Sequence, residues 1–285
     1  MVIQKKQKIG LLIFLFIIAI IIWIFVFKQE GNKFLKVEFF DIGQGDAIFI
    51  ETMDKKQILI DGGPDLSILE KIGREMPFYD RYIDLIILSH PEADHLSGLI
   101  EIIKRYQIGA IIMTGIFRDT EQYKEWLRNI ERKNIPIYLA KSGGEINFNN
   151  GIRFDILYPF ETLVGKELSE SNNTSIVGKL VYNNFEALFT GDIEKSVENK
   201  LISAGVNLKS DILKIAHHGS KTSTSEEFLK AVNAILAVIP VGKDNKYGHP
   251  HQEVLERLAN LGIFQTDRDG DVEILSDGIN FFVKK

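Results

Sequence analysis

Four side chains that can bind a metal ion occur within six residues: His90, Glu92, Asp94 and His95. Imidazole and carboxylate together form a ligand set that suits zinc, manganese or iron. The apolar residues 83–88 predict a buried strand before them, and residues 96–106 have the apolar spacing of a helix. Since open α/β sheets place active sites at the carboxyl ends of strands, the segment predicts a metal site on the loop that leaves this strand.

The remaining histidines and several acids also follow apolar strands. All six histidines of the chain form three pairs, at positions 90/95, 217/218 and 249/251. Asp192 follows a strand and a glycine, which is also typical of a helix N-cap or a turn. Asp61 follows another strand, where it could close a turn or hydrogen-bond a metal ligand. The recurrence of such groups at strand ends favours one shared site.

His249 and His251 flank Pro250, and this segment has two interpretations. A proline near the first position of a helix is typical of a turn that leads into the helix. Alternatively, one of the two histidines lies on the substrate side of the site and protonates a leaving group. The residues alone favour neither.

The order of elements predicts an α/β fold made of two mixed sheets covered by helices on their outer faces. Residues 36–40, 47–52 and 57–60 predict antiparallel strands, and from residue 68 onward helical and strand patterns alternate. No proline- or serine-rich linker, low-complexity tract or repeat divides residues 36–285, so one domain is expected. A domain of this length can bury a large core.

An apolar run predicts a transmembrane anchor at residues 9–27. At about 1.5 Å per residue, a helix of this length spans roughly the hydrocarbon core of a bilayer. A cleaved signal peptide is the alternative, but no small-residue cleavage site follows the run. Residues 1–8 carry three lysines and are expected to stay in the cytoplasm as a basic tail. Residues 28–35 are then a linker, and residues 36–285 a domain outside the cell membrane.

Without its first 30 residues the chain has 30 basic and 38 acidic side chains, a formal charge of −8. Proteins that bind nucleic acids without sequence preference usually have a basic surface. The composition therefore counts against tight DNA binding by the domain surface, although not against catalysis at a metal site. The chain has no cysteine, which excludes disulfides and thiolate-bound zinc.

Several motifs carry a family resemblance over residues 36–283. They are residues 40–47 (FDIGQGDA), 61–63 (DGG), 89–95 (SHPEADH), 172–175 (NNTS), 190–192 (TGD), 217–220 (HHGS) and 247–251 (YGHPH). With these motifs the chain resembles the metallo-β-lactamase superfamily and, within it, the extracytoplasmic hydrolase-like domain of ComEC-type bacterial DNA-uptake channels. The resemblance implies an αββα sandwich around two metals. One hydrophobic span cannot form the multi-helix permease of such channels, so a stand-alone, membrane-tethered version is expected.

The resemblance also implies which residues bind metal and which support them. The implied metal ligands are His90, Glu92, Asp94, His95, Asp192 as a bridge, and His217 with His218 as its alternative. Residues expected to support the ligands are Asp46, Asp61, Asn173, Ser175 and Ser220. The chain departs from the family pattern at Glu92, which replaces a histidine or aspartate, and at Asn172-Asn173, which replace a histidine. Oxygen ligands favour harder ions, so one or two divalent metals are expected, zinc or manganese, with magnesium as a third option.

The activity implied by the resemblance is a metal-dependent phosphodiesterase or nuclease acting on DNA, with a metal-bound hydroxide as nucleophile. Asp94 or Asp192 would position the hydroxide, and Lys221, His249 or His251 would contact the phosphate or assist the leaving oxygen. The expected partners are a phosphodiester substrate, single-stranded DNA included, and the membrane.

Two alternatives stay open. One is a hydrolase of a cell-envelope or nucleotide phosphoester, and the other is a catalytically degenerate domain that only binds. The sequence offers no aromatic-and-basic stripe typical of single-strand binders. Four phenylalanines are instead expected in core strands: Phe39, Phe40, Phe281 and Phe282.

Overall fold

A computed structural model describes residues 2–28, 33–166 and 171–284. Contacts divide the chain into two units, residues 1–33 and residues 34–285. The first unit contains helix α1 (Val2–Lys28), in which Lys5–Trp23 is long and apolar enough to cross a membrane. The expected anchor at 9–27 falls within this helix. Residues 29–32 of the expected linker lie outside the described residues.

The second unit contains fifteen strands and seven helices within the described residues. The strands are β1 (Leu35–Phe39), β2 (Ile48–Glu51), β3 (Gln57–Ile60), β4 (Tyr82–Ile87), β5 (Gln107–Met113), β6 (Ile137–Leu139), β7 (Glu145–Asn147), β8 (Ile152–Tyr158), β9 (Val177–Tyr182), β10 (Phe185–Phe189), β11 (Ile212–Lys214), β12 (Leu236–Ile239), β13 (Gly262–Gln265), β14 (Val272–Ser276) and β15 (Phe281–Lys284). The helices are α2 (Ser67–Glu75), α3 (Ala93–Arg105), α4 (Glu121–Lys133), α5 (Lys195–Ser203), α6 (Glu226–Val232), α7 (Gln252–Arg257) and α8 (Thr266–Asp269).

The strands form two mixed sheets. The first has the order β15-β14-β1-β2-β3-β4-β5-β6 and the second β13-β12-β11-β10-β9-β8-β7. Strands β3 to β6 run parallel in the first sheet, as do β10 to β13 in the second. The carboxyl ends of neighbouring parallel strands lie at one edge of a sheet, so the loops that leave β3 and β4, and those that leave β10, β11 and β12, can share a site.

Apolar side chains hold four layers together. Between the two sheets lies a cluster of buried residues that includes Phe39, Ile50, Ile87, Phe154 and Phe189. A second cluster, around Trp126 and Leu99, packs α2, α3 and α4 on the outer face of the first sheet. A third, around Val197 and Phe228, packs α5, α6 and α7 on the second sheet. The architecture is therefore the αββα sandwich that was expected, which confirms the predicted fold class.

The structure changes the prediction in some elements. Helix α3 begins at Ala93 and not at residue 96, so Asp94 and His95 lie in its first turn instead of on the preceding loop. The sequence patterns also missed β7, β13, α8 and β14. Phe39 and Phe40 are buried as expected and Phe281 packs against the core, but the Phe282 side chain is 46% exposed.

Candidate metal centre

The edge where the two sheets meet brings together side chains from five segments. From the first sheet come Asp46, Asp61 after β3, and His90, Asp94 and His95 after β4; from the second come Asp192 after β10, and Lys214 and His218 at the end of β11. These residues include four overlapping groups of three whose ligand atoms lie within 4.8 Å of one another, namely His90/His95/Asp192, Asp94/His95/His218, Asp46/Asp61/His95 and Asp46/Asp192/His218. All are buried except Asp94, which is partly exposed.

Asp61 orients two of the histidines. Its carboxylate accepts hydrogen bonds from the Ser89 amide (2.8 Å), the Ser89 hydroxyl (2.6 Å) and His95 Nδ1 (2.9 Å). Because the Ser89 hydroxyl donates to Asp61, Nδ1 of His90 must donate to Ser89 Oγ, 3.0 Å away. Both imidazoles are thereby held with the proton on Nδ1, which leaves their Nε2 atoms free to accept.

His218 reaches the same state from the other sheet. Its Nδ1 donates to the Pro240 carbonyl at 2.9 Å. The Nε2 atoms of His90, His95 and His218 are buried and make no hydrogen bond to any described residue. Buried polar atoms are ordinarily hydrogen-bonded, so three such nitrogen atoms in one place indicate a site for a group that accepts their lone pairs, such as a metal ion.

Asp192 lies between two of these nitrogen atoms. Its Oδ2 is 3.3 Å from Nε2 of His95 and 3.3 Å from Nε2 of His218. Oδ2 of Asp94 lies 3.5 Å from His218 Nε2, and Oδ1 lies 4.0 Å from His95 Nε2. The carboxylate of Asp192 therefore lies between an imidazole from the first sheet and one from the second.

Lys214 is a site residue that the sequence analysis missed. Its side chain is 1% exposed and its ammonium pairs with Asp46, with Asp192 Oδ1 at 3.3 Å and with the Gly191 carbonyl at 2.8 Å. A buried charge must be paired, and Lys214 offsets part of the negative charge that Asp46 and Asp192 bring in. A lysine between Leu213 and Ile215 in a buried strand was the signal that could have identified it.

The electrostatics of the cluster favour a cation. Burial alone would lower the pKa of His95, but Asp192, Asp61 and Asp94 raise it well above its ordinary value. Burial would also lower the pKa of His218, but Asp192, together with Asp94 and Asp46, raises it to about 10. The pKa of Asp192 is held well below its ordinary range by His218, His95 and Lys214, against the effect of burial. A metal ion would compete with protons for these imidazole nitrogens.

The residues present fit a divalent metal. Fixed imidazole tautomers, three convergent lone pairs and at least two carboxylates form a nitrogen and oxygen donor set that suits zinc, manganese or iron. His90, His95 and Asp192 surround one position, and Asp94, His95, His218 and Asp192 surround a neighbouring one. The second group has four residues and the first has three, with His95 and Asp192 in both.

The structure places some predicted ligands elsewhere. Glu92 accepts hydrogen bonds from Arg118 (2.8 Å) and from Ser171, and it belongs to none of the four groups. His217 is partly exposed, with Nε2 3.3 Å from the Asn172 amide nitrogen, while His218 faces the cluster. The two histidines adopt left-handed backbone conformations, with φ of 51° and 54°. The turn therefore directs the second of the pair inward.

The residues expected to support the ligands divide into two sets. Asp61 and Asp46 contact His95, and Ser175 Oγ accepts from the Asp192 amide at 3.0 Å. Asn173 instead accepts from the Glu194 amide at 3.0 Å, and Ser220 pairs with Thr222 at 3.0 Å. These bonds of the second set join loop residues, and the Ser220 amide also donates to the His217 carbonyl at 2.9 Å.

The remaining predicted residues border the centre. The His249 ring lies 5.6 Å from His217, 6.4 Å from His218 and 5.0 Å from His251, centroid to centroid. The Lys221 amide donates to His251 Nδ1 at 3.3 Å, which places the start of that side chain beside the histidines. Burial, together with His218 and His217, lowers the pKa of His249 to about 4.

Comparison with known proteins agrees with this geometry. The chain is 29% identical over 265 residues to the ComE operon protein 3 of Bacillus subtilis, and 31% identical over 263 residues to the Recombination protein 2 of Haemophilus influenzae. These alignments cover 86% and 89% of this chain but 33% and 30% of the relatives, so the chain spans about a third of their length. The metallo-β-lactamase fold protein YhfI of B. subtilis has the same fold, with a TM-score of 0.56, 10% identity, and coverage of 85% of this chain and 100% of that one.

The family profile described as the metallo-β-lactamase superfamily matches residues 40–242. That range contains the ligand groups around Asp192 and Lys214, on the fold that the family shares. The chain belongs to the metallo-β-lactamase superfamily of hydrolases and has ComEC-like homologues.

Proposed function

We propose that the protein is a metal-dependent phosphodiesterase that cleaves DNA, and that it works outside the cell membrane, to which α1 tethers it. The observation that carries the proposal is the convergence of three buried Nε2 atoms on the carboxylates of Asp192 and Asp94. The relatives named for competence and recombination support DNA as the substrate. The apolar span Lys5–Trp23 supports the tether.

His90, His95, Asp94, Asp192 and His218 would hold one or two divalent ions, zinc or manganese. When bound, such ions act as Lewis acids toward a phosphate and make water acidic enough to serve as a nucleophile near neutral pH. Glu92, which bonds Arg118, is left out of this assignment, and His217 gives way to His218. The donor set is more complete for one metal than for two. At the position near His90, Asn172 and Asn173 replace a histidine that the family resemblance would supply.

The chain's own residues orient the reacting groups. Asp192 is held by Ser175 and Lys214 between His95 and His218. Asp94 is partly exposed, and on its exposed side it would position water while it holds an ion. Lys221, His249 and His251 border that side, and we assign them to contact the phosphate or assist the leaving oxygen.

The test is cleavage of labelled single-stranded DNA by the full chain in detergent, with Mn²⁺ or Zn²⁺. Asp192→Asn should lower the rate by about 100-fold or more, because a metal supplies several kcal/mol of transition-state stabilisation. Asp119→Asn is the matched control, since the Asp119 side chain is 72% exposed and pairs only with surface lysine in the described structure. Circular dichroism of each variant shows whether the fold is kept.

Each result decides between named alternatives. Cleavage that survives in Asp192→Asn would refute the assignment of the centre. If the protein does not cleave DNA but hydrolyses a nucleotide or cell-envelope phosphoester, the result would favour the alternative hydrolase. Strand binding without turnover under any divalent metal would favour a domain that only binds.

A further inference from the structure

The loop that leaves β12 presents an exposed aromatic ring beside the metal centre. We call residues 242–251 the aromatic loop. The Tyr247 side chain is 52% exposed, and its ring stacks on His249 with centroids 5.6 Å apart and planes 22° apart. His249 in turn lies 6.4 Å from the His218 ring, whose Nε2 faces Asp192. Two ring contacts therefore lead from solvent to the ligand cluster.

The aromatic loop is built to hold that ring in place. The Asn245 side chain donates to the carbonyls of Gly242 (3.0 Å) and His249 (2.6 Å), and accepts from the amides of Tyr247 (3.2 Å) and His249 (3.0 Å). The His251 amide donates to the Gly219 carbonyl at 3.0 Å, which ties the loop to the turn that carries His218. These bonds fix the backbone on both sides of Tyr247, whose ring remains exposed.

Exposed lysines lie close to the ring in the sequence although the domain is acidic. Lys243 and Lys246 lie in the aromatic loop, with Asp244 as the acid of that segment. Lys246 Nζ lies over the Tyr247 ring, 5.1 Å from its centroid, so a base that stacks on this face takes the place of the flexible lysine side chain. Lys221 adds a further exposed lysine, beside His251. An exposed aromatic ring together with lysines is a combination with which proteins hold single-stranded nucleic acids, since every base has a π-face and every phosphate a negative charge.

We propose that Tyr247 is a stacking platform for a base of single-stranded nucleic acid, whose backbone phosphate enters the metal centre. The inference rests on the proposed function and names its substrate: an unpaired strand. A base within a duplex is already stacked on both faces, so it cannot lie on Tyr247 without being unpaired. Asn245 is a positioning residue in this assignment, because it acts by holding Tyr247 and His249.

The test measures binding, so that it does not depend on turnover. Two labelled single strands of equal length and charge are compared by fluorescence anisotropy, one with bases and one with abasic sugars, both with phosphorothioate linkages to suppress hydrolysis. Tyr247→Ala should weaken binding of the strand with bases about tenfold, which corresponds to about 1.4 kcal/mol, and leave the abasic strand unchanged. Tyr247→Phe should keep the affinity, because the ring remains. Tyr79→Ala is the matched control, since Tyr79 is also 52% exposed and precedes the amino end of β4, whereas the candidate metal centre follows the carboxyl end.

Two outcomes would overturn the inference. One is an equal loss for both strands, which would mean that the substitution disturbs the loop; the other is no loss for the strand with bases. The proposed function fails separately, if the wild-type chain cleaves no strand with any metal while the base dependence of binding persists. Cleavage by the wild type without base dependence would keep the proposed function and remove the platform.

Discussion

Replacing Asp61 by asparagine should weaken metal binding although Asp61 is not expected to touch the metal. Asp61 accepts three hydrogen bonds, two from Ser89 and one from His95 Nδ1, at 2.6 to 2.9 Å. Asparagine offers one carbonyl oxygen in place of two carboxylate oxygens, so at least one of the three N–H or O–H donors would face the asparagine NH2 group and lose its acceptor. The backbone is not an obstacle, because Asp61 has φ of 57° and asparagine tolerates this left-handed conformation.

The expected size of the effect follows from what the carboxylate does. It fixes the tautomer and direction of His95 directly, and those of His90 through Ser89. Loss of such a supporting group typically costs 10- to 100-fold in metal affinity, which corresponds to about 1.4 to 2.7 kcal/mol. A hydrogen bond to a charged group is worth about the same, roughly 1.5 to 3 kcal/mol. The two magnitudes agree, so we expect a loss within this range.

The assay is Zn²⁺ or Mn²⁺ titration of the metal-free full chain against a chromophoric chelator. Asp65→Asn is the control, because Asp65 is exposed and makes a turn bond to the Ser67 amide (2.8 Å) that asparagine can keep. Thermal unfolding of the metal-free forms separates a weakened site from a weakened fold. An affinity for Asp61→Asn within about twofold of wild type, well under the expected loss, would show that imidazole orientation by Asp61 does not control the centre.

Two further predictions concern packing and charge. Gly45→Ala should lower metal affinity and thermal stability, because its Cβ would lie 2.1 Å from the Asp94 carbonyl oxygen. A Cβ at Gly43 would have nothing within 4 Å, so Gly43→Ala should lose only about 1–2 kcal/mol of stability through backbone strain. Equal effects of the two in calorimetry and metal titration would contradict this. Burial raises the pKa of the Glu38 carboxyl from 4.5 to about 8. The proton that this carboxyl holds in the folded protein contributes its full stabilisation below pH 4.5, and that stabilisation is lost as the pH rises to about 8. Wild type should therefore lose up to about 1.4 kcal/mol per pH unit in that window relative to Glu38→Gln; parallel curves in denaturant unfolding would reject the assignment.

Helices with clear end signals could be predicted from the sequence, and those with polar first turns could not. Residues 121–133 have apolar residues at helical spacing, and α4 has the same bounds. At its start the Thr120 side chain accepts a hydrogen bond from the Tyr123 amide, and at its end Asn134 adopts a left-handed conformation. Helix α3 was predicted three residues late because its first turn, Ala93 to His95, adds no apolar period. Short edge elements such as β7 have too few residues for a periodic signal.

The ligand set could be predicted in type but not in every contact. The motifs predicted His90, Asp94, His95 and Asp192 as ligands, and the structure brings these four side chains together. Which of the two neighbouring histidines at 217 and 218 faces the cluster depends on a left-handed turn that spacing does not encode.

Some contacts depend on tertiary structure alone. Glu92 was predicted as a ligand, but Arg118 arrives from a different loop and takes its carboxylate. The sequence analysis found no aromatic-and-basic stripe, although Lys243, Lys246 and Tyr247 lie within five residues of one another. The sequence does not show that the bond from the His251 amide to the Gly219 carbonyl brings this loop beside the turn of His218.

The candidate centre draws its ligands from both halves of the sandwich. His90, Asp94 and His95 follow strands of the first sheet, whereas Asp192 and His218 follow strands of the second. Neither half alone offers the whole set, so coordination by all of these residues requires the two sheets to be packed against each other. The free energy of metal binding would then add to the contact between the halves. Removing the metal should therefore weaken the packing of one sheet on the other.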